Sequence, residues 1–238
     1  MRLRLIPQPH VFKGVGEIMA KITALHADRG RGKRVKVFLD GKFAFRLEAE
    51  VVAKEGLHVG QEISAGQIET LGRSDGFQRC FNAAVHYLGY RPRSEAEVRE
   101  RLHRRGFDDE SVEAVITKLK EQGLLDDVAF AQFWADNREA FSPRSQRLTR
   151  LELRRKGVAG DIIDQVAGEI DDEDSAYRAA LGKAGRWSLS DYQSFRRRLG
   201  GYLRRRGFNY EVINHTVERM WRERGGRGKD SVLSELSQ

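Results

Sequence analysis

Every second residue is apolar in the stretch RVKVFL at residues 34–39, and a period of two is typical of a β-strand. The next two residues, Asp40 and Gly41, favour a tight hairpin turn, because both central positions of such a turn need positive φ. The pattern predicts a small antiparallel sheet with strands at residues 18–27, 33–39 and 42–47. A sheet of this size needs cover, and the sequence LEAEVVAKEG predicts a short helix that ends at Gly56.

From about residue 75 to about residue 224 the apolar residues recur every three or four positions, which predicts a series of α-helices. A phrase of six residues recurs three times in this part, as LHRRGF, LRRKGV and LRRRGF. Its glycines, Gly106, Gly157 and Gly207, lie 51 and 50 residues apart. A period of this size indicates a repeated supersecondary unit.

The chemistry of the phrase predicts a corner between two helices. The basic residues lie in the last turn of the first helix, where cations meet the negative end of the helix dipole. The glycine then adopts the left-handed conformation that ends the helix. Two copies also begin with the tripeptide PRS, at residues 92–94 and 143–145, and its serine is the expected N-cap.

We expect each unit to contain the helix before the corner, the helix after it and a third helix. The third copy is expected to stop after two helices, because the residues that follow have the composition of a frayed tail. Units joined in series contact mainly their neighbours. The predicted fold is therefore mainly α, with tandem three-helix repeats that form an elongated curved arm after a small α+β domain.

The predicted domain organisation has four parts, in chain order. They are a flexible tail at 1–16, a small β-rich domain with short helices at 17–72, the tandem repeats at 73–224 and a flexible tail at 225–238.

The chain of 238 residues carries 43 Lys and Arg against 35 Asp and Glu, a formal net charge of +8. Such a surface attracts polyanions or acidic protein faces, although a basic helical protein with no polyanion partner is the alternative. The single cysteine, Cys80, excludes an intrachain disulfide and fits a reducing compartment. No apolar run is long enough to span a membrane, and Pro7 and Pro9 interrupt the N-terminal one, which argues against a secretory signal. We therefore expect a cytoplasmic protein.

The sequence contains no residue pattern typical of a catalytic, metal or nucleotide site. The six histidines have no spacing typical of a zinc site. The stretches RGRGKR at 29–34 and GGRGKDS at 225–231 both contain Gly-Lys, but neither has the spacing of a phosphate-binding loop. We expect no enzyme activity, no catalytic, metal or cofactor site, and no small-molecule substrate.

Three stretches carry a family resemblance: RSEAEVRERLHRRGFDDESVEAVITKLKEQGLLDDVAFAQFW, RLTRLELRRKGV and YLRRRGF. They resemble the RecX family, small bacterial proteins that regulate the RecA recombinase, and GLLDDVAFAQFW is the most specific part. The resemblance covers residues 75–223, and the strand-rich part before it resembles an extension found on some members. It implies a non-enzymatic protein that docks in the groove of the RecA–DNA filament. It also implies restraint of strand exchange, of ATP hydrolysis and of RecA-promoted cleavage of the SOS repressor.

The candidate partner-binding residues are cations of the PRS segments, the first helices and the corners. They are Arg93, Arg101, Arg104, Arg105, Arg144, Arg147, Arg150, Arg154, Arg155, Lys156, Arg196, Arg197, Arg198, Arg204, Arg205 and Arg206. Two interpretations of the basic triplets stay open: they neutralise the helix dipole, or they form a spaced row of cations for phosphates or acidic side chains.

A second group of candidates lies in the stretch ADRGRGKR, namely Arg29, Arg31, Lys33 and Arg34. We interpret this stretch either as a basic loop that touches a phosphate backbone or as a solvated hairpin loop. The expected partner is the RecA filament, bound by a monomer. The alternative is a module that binds single- or double-stranded DNA directly and affects RecA only indirectly.

Overall fold

The computed structural model describes residues 19–28, 34–184, 187 and 191–224. The chain divides into two compact units, residues 1–82 and residues 83–238. The predicted fold class, mainly helical with a small antiparallel sheet near the N-terminus, is confirmed. Both predicted tails, 1–16 and 225–238, lie outside the described residues.

The described residues of the N-terminal unit contain four strands in the order β3-β2-β1-β4, all antiparallel. The hairpin turn is confirmed, because Asp40 and Gly41 have φ values of 49° and 79°. The fourth strand was not predicted; it pairs with the start of the first strand. Ile22, Val37 and Ile63 form the buried centre of this unit. The elements are β1 (Met19–Ala27), β2 (Arg34–Leu39), β3 (Lys42–Glu48), the helix α1 (Ala49–Lys54) and β4 (Glu62–Ser64).

The rest of the described chain is helical. A long helix, α2 (Ala65–Leu88), comes first. Eight shorter helices follow: α3 (Glu95–Arg104), α4 (Asp109–Glu121), α5 (Asp127–Phe141), α6 (Gln146–Arg155), α7 (Gly160–Gly168), α8 (Asp172–Ala184), α9 (Tyr192–Arg205) and α10 (Tyr210–Glu223).

The three corners are built as their sequence predicts. Gly106, Gly157 and Gly207 have φ values of 84°, 76° and 90°. Each lies just after the end of α3, α6 or α9. The N-caps Ser94 and Ser145 accept backbone hydrogen bonds from Glu97 and Leu148.

The repeating unit begins one helix earlier than the sequence pattern predicts. Helices α5, α6 and α7 share one buried core, and α8, α9 and α10 share another. The third copy therefore has three helices, which corrects the expectation of two. The corner sequence shows where two helices of a unit meet. Packing then shows that the third helix of the unit is the one before them and not the one after them.

Small buried residues mark the same two positions on the first helix of every unit. Ala131 and Ala135 on α5 match Ala176 and Ala180 on α8. Cys80 and Ala84 lie 51 residues before the α5 pair and are also fully buried. The C-terminal half of α2 is therefore equivalent to α5 and α8, and Cys80 is a small core residue.

Candidate partner-binding surface

Basic residues are concentrated on the central helix of the second and third units. Helix α9 contains five arginines and no acidic residue, and α6 contains four arginines and one glutamate. Helix α3, the equivalent helix of the first unit, has equal numbers of arginines and glutamates. The helices on either side, α4, α5, α7, α8 and α10, each have more acidic than basic residues. The positive charge therefore increases from one corner to the next.

Seven of the candidate arginines are exposed and have no ion pair, hydrogen bond or cation–π contact with any residue that the structure describes. We call them the open arginines. They are Arg105, Arg147, Arg154, Arg155, Arg197, Arg204 and Arg205. Because a guanidinium group is always charged and has five donors, these side chains are available to a partner.

The first corner differs from the other two. Arg104 lies 3.4 Å from Glu100 in an exposed ion pair, and His103 lies 3.5 Å from the Asp109 carboxylate. Only Arg105 is open at this corner. The second and third corners instead present adjacent open pairs, Arg154 with Arg155 and Arg204 with Arg205.

Several other candidates lie on aromatic rings. Arg93 and Arg101 lie 4.2 and 5.6 Å from the centre of the Tyr87 ring. Arg198 lies 4.2 Å from the Trp187 ring centre. Such cation–π contacts stabilise the fold and hold these guanidinium groups in place.

The remaining candidates on α6, α9 and the segment before α6 have polar partners. Arg144 forms an ion pair with Glu152, and Arg150 lies 3.6 Å from Asp164. The Nη2 atom of Arg196 donates a long hydrogen bond, 3.4 Å, to the hydroxyl of Tyr210. These side chains are less available than the open arginines.

The last cation of the second triplet joins two repeats. The Nζ atom of Lys156 donates to Glu97 across 2.6 Å, and Arg91 pairs with the same carboxylate at 3.1 Å. Burial favours the neutral acid, but the hydrogen bonds from Lys156 and Arg91 outweigh it and lower the pKa of Glu97.

The last cation of the third triplet has the equivalent place. Arg206 donates to the hydroxyl of Ser142 and to the carbonyl of Pro143, both at 2.9 Å, and its guanidinium lies over the Tyr202 ring. Lys156 and Arg206 are therefore structural cations, which separates them from the open pair that precedes each of them.

Contacts at equivalent positions join consecutive repeats twice, and we call each set a repeat joint. The N-cap serine of one unit meets the corner of the next: the hydroxyl of Ser94 donates to the carbonyl of Lys156 at 2.6 Å, and the backbone N–H of Ser145 donates to the carbonyl of Arg206 at 3.0 Å. Gly157 lies against Ala96, and Gly207 lies against Ser145. A methyl group added at Gly106 would have no neighbour within 4 Å among the described residues.

An aspartate completes each repeat joint, and neither was predicted from the sequence. Asp127 accepts the backbone N–H of Glu95 at 2.8 Å, and Asp172 accepts that of Gln146 at 2.6 Å. Burial raises the pKa of both carboxyls despite these bonds. The only sequence signal is an Asp-Asp pair at the start of α5 and another at the start of α8, and the local pattern assigns both pairs to capping alone.

Arg34 is the one described residue of the N-terminal candidate group, and its side chain is paired with residues of its own unit. It lies 3.4 Å from Glu48 and 3.2 Å from the buried Asp75, and it donates to the carbonyl of Arg46. These contacts hold the end of the sheet on α2. The other candidates of this group, Arg29, Arg31 and Lys33, lie outside the described residues.

Within the described residues, no group of three or more His, Cys, Asp or Glu side chains could hold a metal ion. In the same part of the chain, every helix is too short or too polar to cross a membrane.

Comparison with known families supports the order of units just described. Residues 80–119, 126–166 and 171–217 match the models of the first, second and third three-helix domains of RecX, and residues 20–64 match the model of the regulatory protein RecX N-terminal domain. The chain belongs to the RecX family. The first matched three-helix segment starts within α2, and the second and third start one residue before α5 and α8.

Relatives and solved structures of the RecX family agree over most of the chain. Regulatory protein RecX of Clostridium botulinum (strain Eklund 17B / Type B) is 30% identical over 84% of this chain and 96% of its own length. Its counterpart in Bacillus velezensis is also 30% identical, over 84% of this chain and 77% of its own. A crystal structure of regulatory protein RecX superposes with a TM-score of 0.63 at 26% identity, over 82% of this chain and 97% of that one. RecX from Lactobacillus salivarius, at 23% identity and a TM-score of 0.54, covers 61% of this chain and 97% of its own, and shares the fold.

Proposed function

We propose that this RecX family member is a non-catalytic regulator that binds the groove of the RecA–DNA filament and restrains RecA. It would lower ATP hydrolysis, strand exchange and RecA-promoted cleavage of the SOS repressor. Membership of a family of regulatory proteins supports a regulatory role. Such a regulator would act in the cytoplasm as a monomer, without a cofactor.

One observation supports the open arginines as the binding surface: adjacent open arginines recur at the same corner of consecutive units. Arg154 with Arg155 and Arg204 with Arg205 are exposed and occupy equivalent positions. Because the following cation, Lys156 or Arg206, belongs to the repeat joint, the joint fixes where each open pair lies. The DNA of such a filament is a serial array of phosphates, which a serial array of cations can match.

We also propose that the repeats in series form the elongated, curved arm that the sequence predicts. Serial units that contact mainly their neighbours give such shapes, and an arm could touch several subunits of a filament at once. Small-angle scattering in solution tests this part, since a near-spherical particle would contradict it.

The experiment for the main proposal is a titration of RecA assembled on single-stranded DNA. The purified protein should lower the rates of ATP hydrolysis and strand exchange as its concentration rises. Rates that stay unchanged at saturating protein would contradict the proposal. A variant with Arg154, Arg155, Arg204 and Arg205 replaced by Gln should need a higher concentration for the same effect.

A direct DNA-binding module that affects RecA only indirectly is the second candidate, and the acid-free helix α9 favours it. Binding to bare DNA should then weaken steeply with salt, with a slope of about −0.9 per phosphate contacted on duplex DNA. Absence of binding without RecA would eliminate this candidate and leave the filament proposal intact.

A further inference from the structure

Helix α9 has two adjacent glycines in its interior, Gly200 and Gly201. A glycine inside a helix destabilises it relative to alanine, so each needs a reason. Gly200 faces α10, where an added Cβ would stand 3.5 Å from Cγ2 of Ile213. An added Cβ at Gly201 would meet only the far end of the Arg205 side chain, at 3.7 Å. Packing within the described chain therefore gives no reason for a glycine at position 201.

Gly201 lies in the middle of a row of open arginines. Residues at i, i+4, i+7 and i+8 share one side of a helix, which places Arg197, Gly201, Arg204 and Arg205 in one stripe. The three arginines are exposed, and the helix carries no acidic residue. Seven or eight residues of helix separate the two ends of the stripe, which is roughly 10–12 Å at 1.5 Å per residue.

A glycine at this place adds no side chain to the helix surface, and only the movable end of the Arg205 side chain lies near it among the described residues. A partner chain can therefore lie directly on the helix surface, with guanidinium groups on either side. Guanidinium groups bind phosphate through paired hydrogen bonds in a fixed fork. A narrow chain that carries its charges on its backbone fits this surface, whereas an acidic protein face carries its charges at the ends of side chains and needs no bare helix beneath it.

We propose that the stripe of Arg197, Gly201, Arg204 and Arg205 docks the sugar–phosphate backbone of DNA, which lies against the helix at Gly201. At about 3.4 Å along the axis for each nucleotide of a strand, the stripe spans about three nucleotides. This inference deepens the proposed function by naming the partner of the third unit. The inference rests on the proposed function in one respect only, namely that the DNA bound by the stripe is the DNA of a RecA filament.

The test uses the full chain and a fluorescent single-stranded oligonucleotide without RecA. The substitution Gly201→Ala should raise the melting temperature, because alanine favours the helix, and should weaken binding by about threefold or more. Gly182→Ala is the matched control: Gly182 is exposed on α8, and an added Cβ there has no neighbour within 4 Å among the described residues. It should also raise the melting temperature and leave binding unchanged. Binding that is equal in Gly201→Ala and wild type would overturn the inference.

A second variant tests the arginines without altering the glycine. Replacement of Arg197 and Arg204 by Gln should reduce the salt slope of binding by about 1.4, since each single-strand phosphate contact contributes about 0.7. An unchanged slope would overturn the assignment to phosphate. Equal loss of binding to polyglutamate and to the oligonucleotide in Gly201→Ala would show that the stripe fits acidic protein instead. Failure of the RecA titration with intact oligonucleotide binding would reject the proposed function and leave this inference standing.

Discussion

The hydroxyl of Ser94 donates a 2.6 Å hydrogen bond to the backbone carbonyl of Lys156, 62 residues further along the chain. The same hydroxyl accepts the N–H of Glu97 and so caps α3. One side chain thus begins a helix and joins two repeats. At the next repeat joint two groups of Ser145 make these bonds: its hydroxyl caps α6, and its backbone N–H donates to the carbonyl of Arg206.

The two cap serines should therefore respond differently to alanine. Ser145→Ala removes a cap alone, which costs about 1 kcal/mol. Ser94→Ala removes a cap and the bond to the Lys156 carbonyl, which should cost about 2–3 kcal/mol. The free energy of unfolding in urea measures both. Equal losses would show that the bond from the Ser94 hydroxyl to the corner contributes nothing.

The corner glycines should also separate into two classes. All three have positive φ, so alanine costs about 1–2 kcal/mol of backbone strain at each. At Gly157 and Gly207 the added methyl also collides with Ala96 or with Ser145 and Leu148, which should add about 1–3 kcal/mol. Gly106→Ala, with no neighbour to meet in the described chain, is the matched control. The ranking is checked by the melting temperatures of the three variants.

The Glu97 carboxylate should stabilise the first repeat joint in a pH-dependent way. Because its pKa is lowered in the folded protein, its contribution is present above the ordinary value of 4.5 and is lost as the pH falls through the folded pKa. Glu97→Gln should therefore destabilise the protein at pH 7, and the difference from wild type should shrink below pH 4.5. Urea unfolding across this pH range measures it. A constant difference would mean that the bonds to Lys156 and Arg91 do not depend on charge.

Asp127 should give the opposite slope at the same joint. Its pKa is raised by burial, so its contribution is present below the ordinary value of 3.8 and is lost as the pH rises through the folded pKa. Asp127→Asn keeps an oxygen for the Glu95 N–H and cannot ionise. The variant should therefore gain stability relative to wild type as the pH rises from 3 to 7. Parallel unfolding curves across that range would argue against a buried charge.

At the third corner, Arg206 should contribute to stability, and Arg204 with Arg205 should contribute to the inhibition of RecA. Arg206→Gln loses hydrogen bonds to Ser142 and Pro143 and should cost about 1–3 kcal/mol of stability. Arg204→Gln with Arg205→Gln changes exposed, unpaired side chains and should leave stability within about 0.5 kcal/mol. Only the pair should weaken inhibition of RecA at a protein concentration where both variants are folded. Calorimetry and the ATP hydrolysis assay together check the division.

Features that depend on local chemistry could be predicted from the sequence. The hairpin at Asp40 and Gly41 and the corners at Gly106, Gly157 and Gly207 each need positive φ, which these residue types favour. Helix starts at Ser94 and Ser145 could be predicted because a serine hydroxyl caps a helix locally.

Features that depend on a distant partner could not be predicted. The short strand β4 exists because it pairs with β1, and the phase of the repeat depends on which helices share a core. Arg34 belongs to a basic stretch in the sequence, but Asp75 binds it from 41 residues away. In the same way, no local pattern distinguishes the structural cations Lys156 and Arg206 from the open arginines beside them.

The proposed function requires that the open arginines of the second and third corners bind the RecA–DNA filament. The most direct measurement is RecA ATP hydrolysis on single-stranded DNA, titrated with wild type and with the variant in which Arg154, Arg155, Arg204 and Arg205 are Gln. Wild type should inhibit hydrolysis, and an equally stable variant should need an at least tenfold higher concentration for half-inhibition. Identical inhibition curves would contradict it.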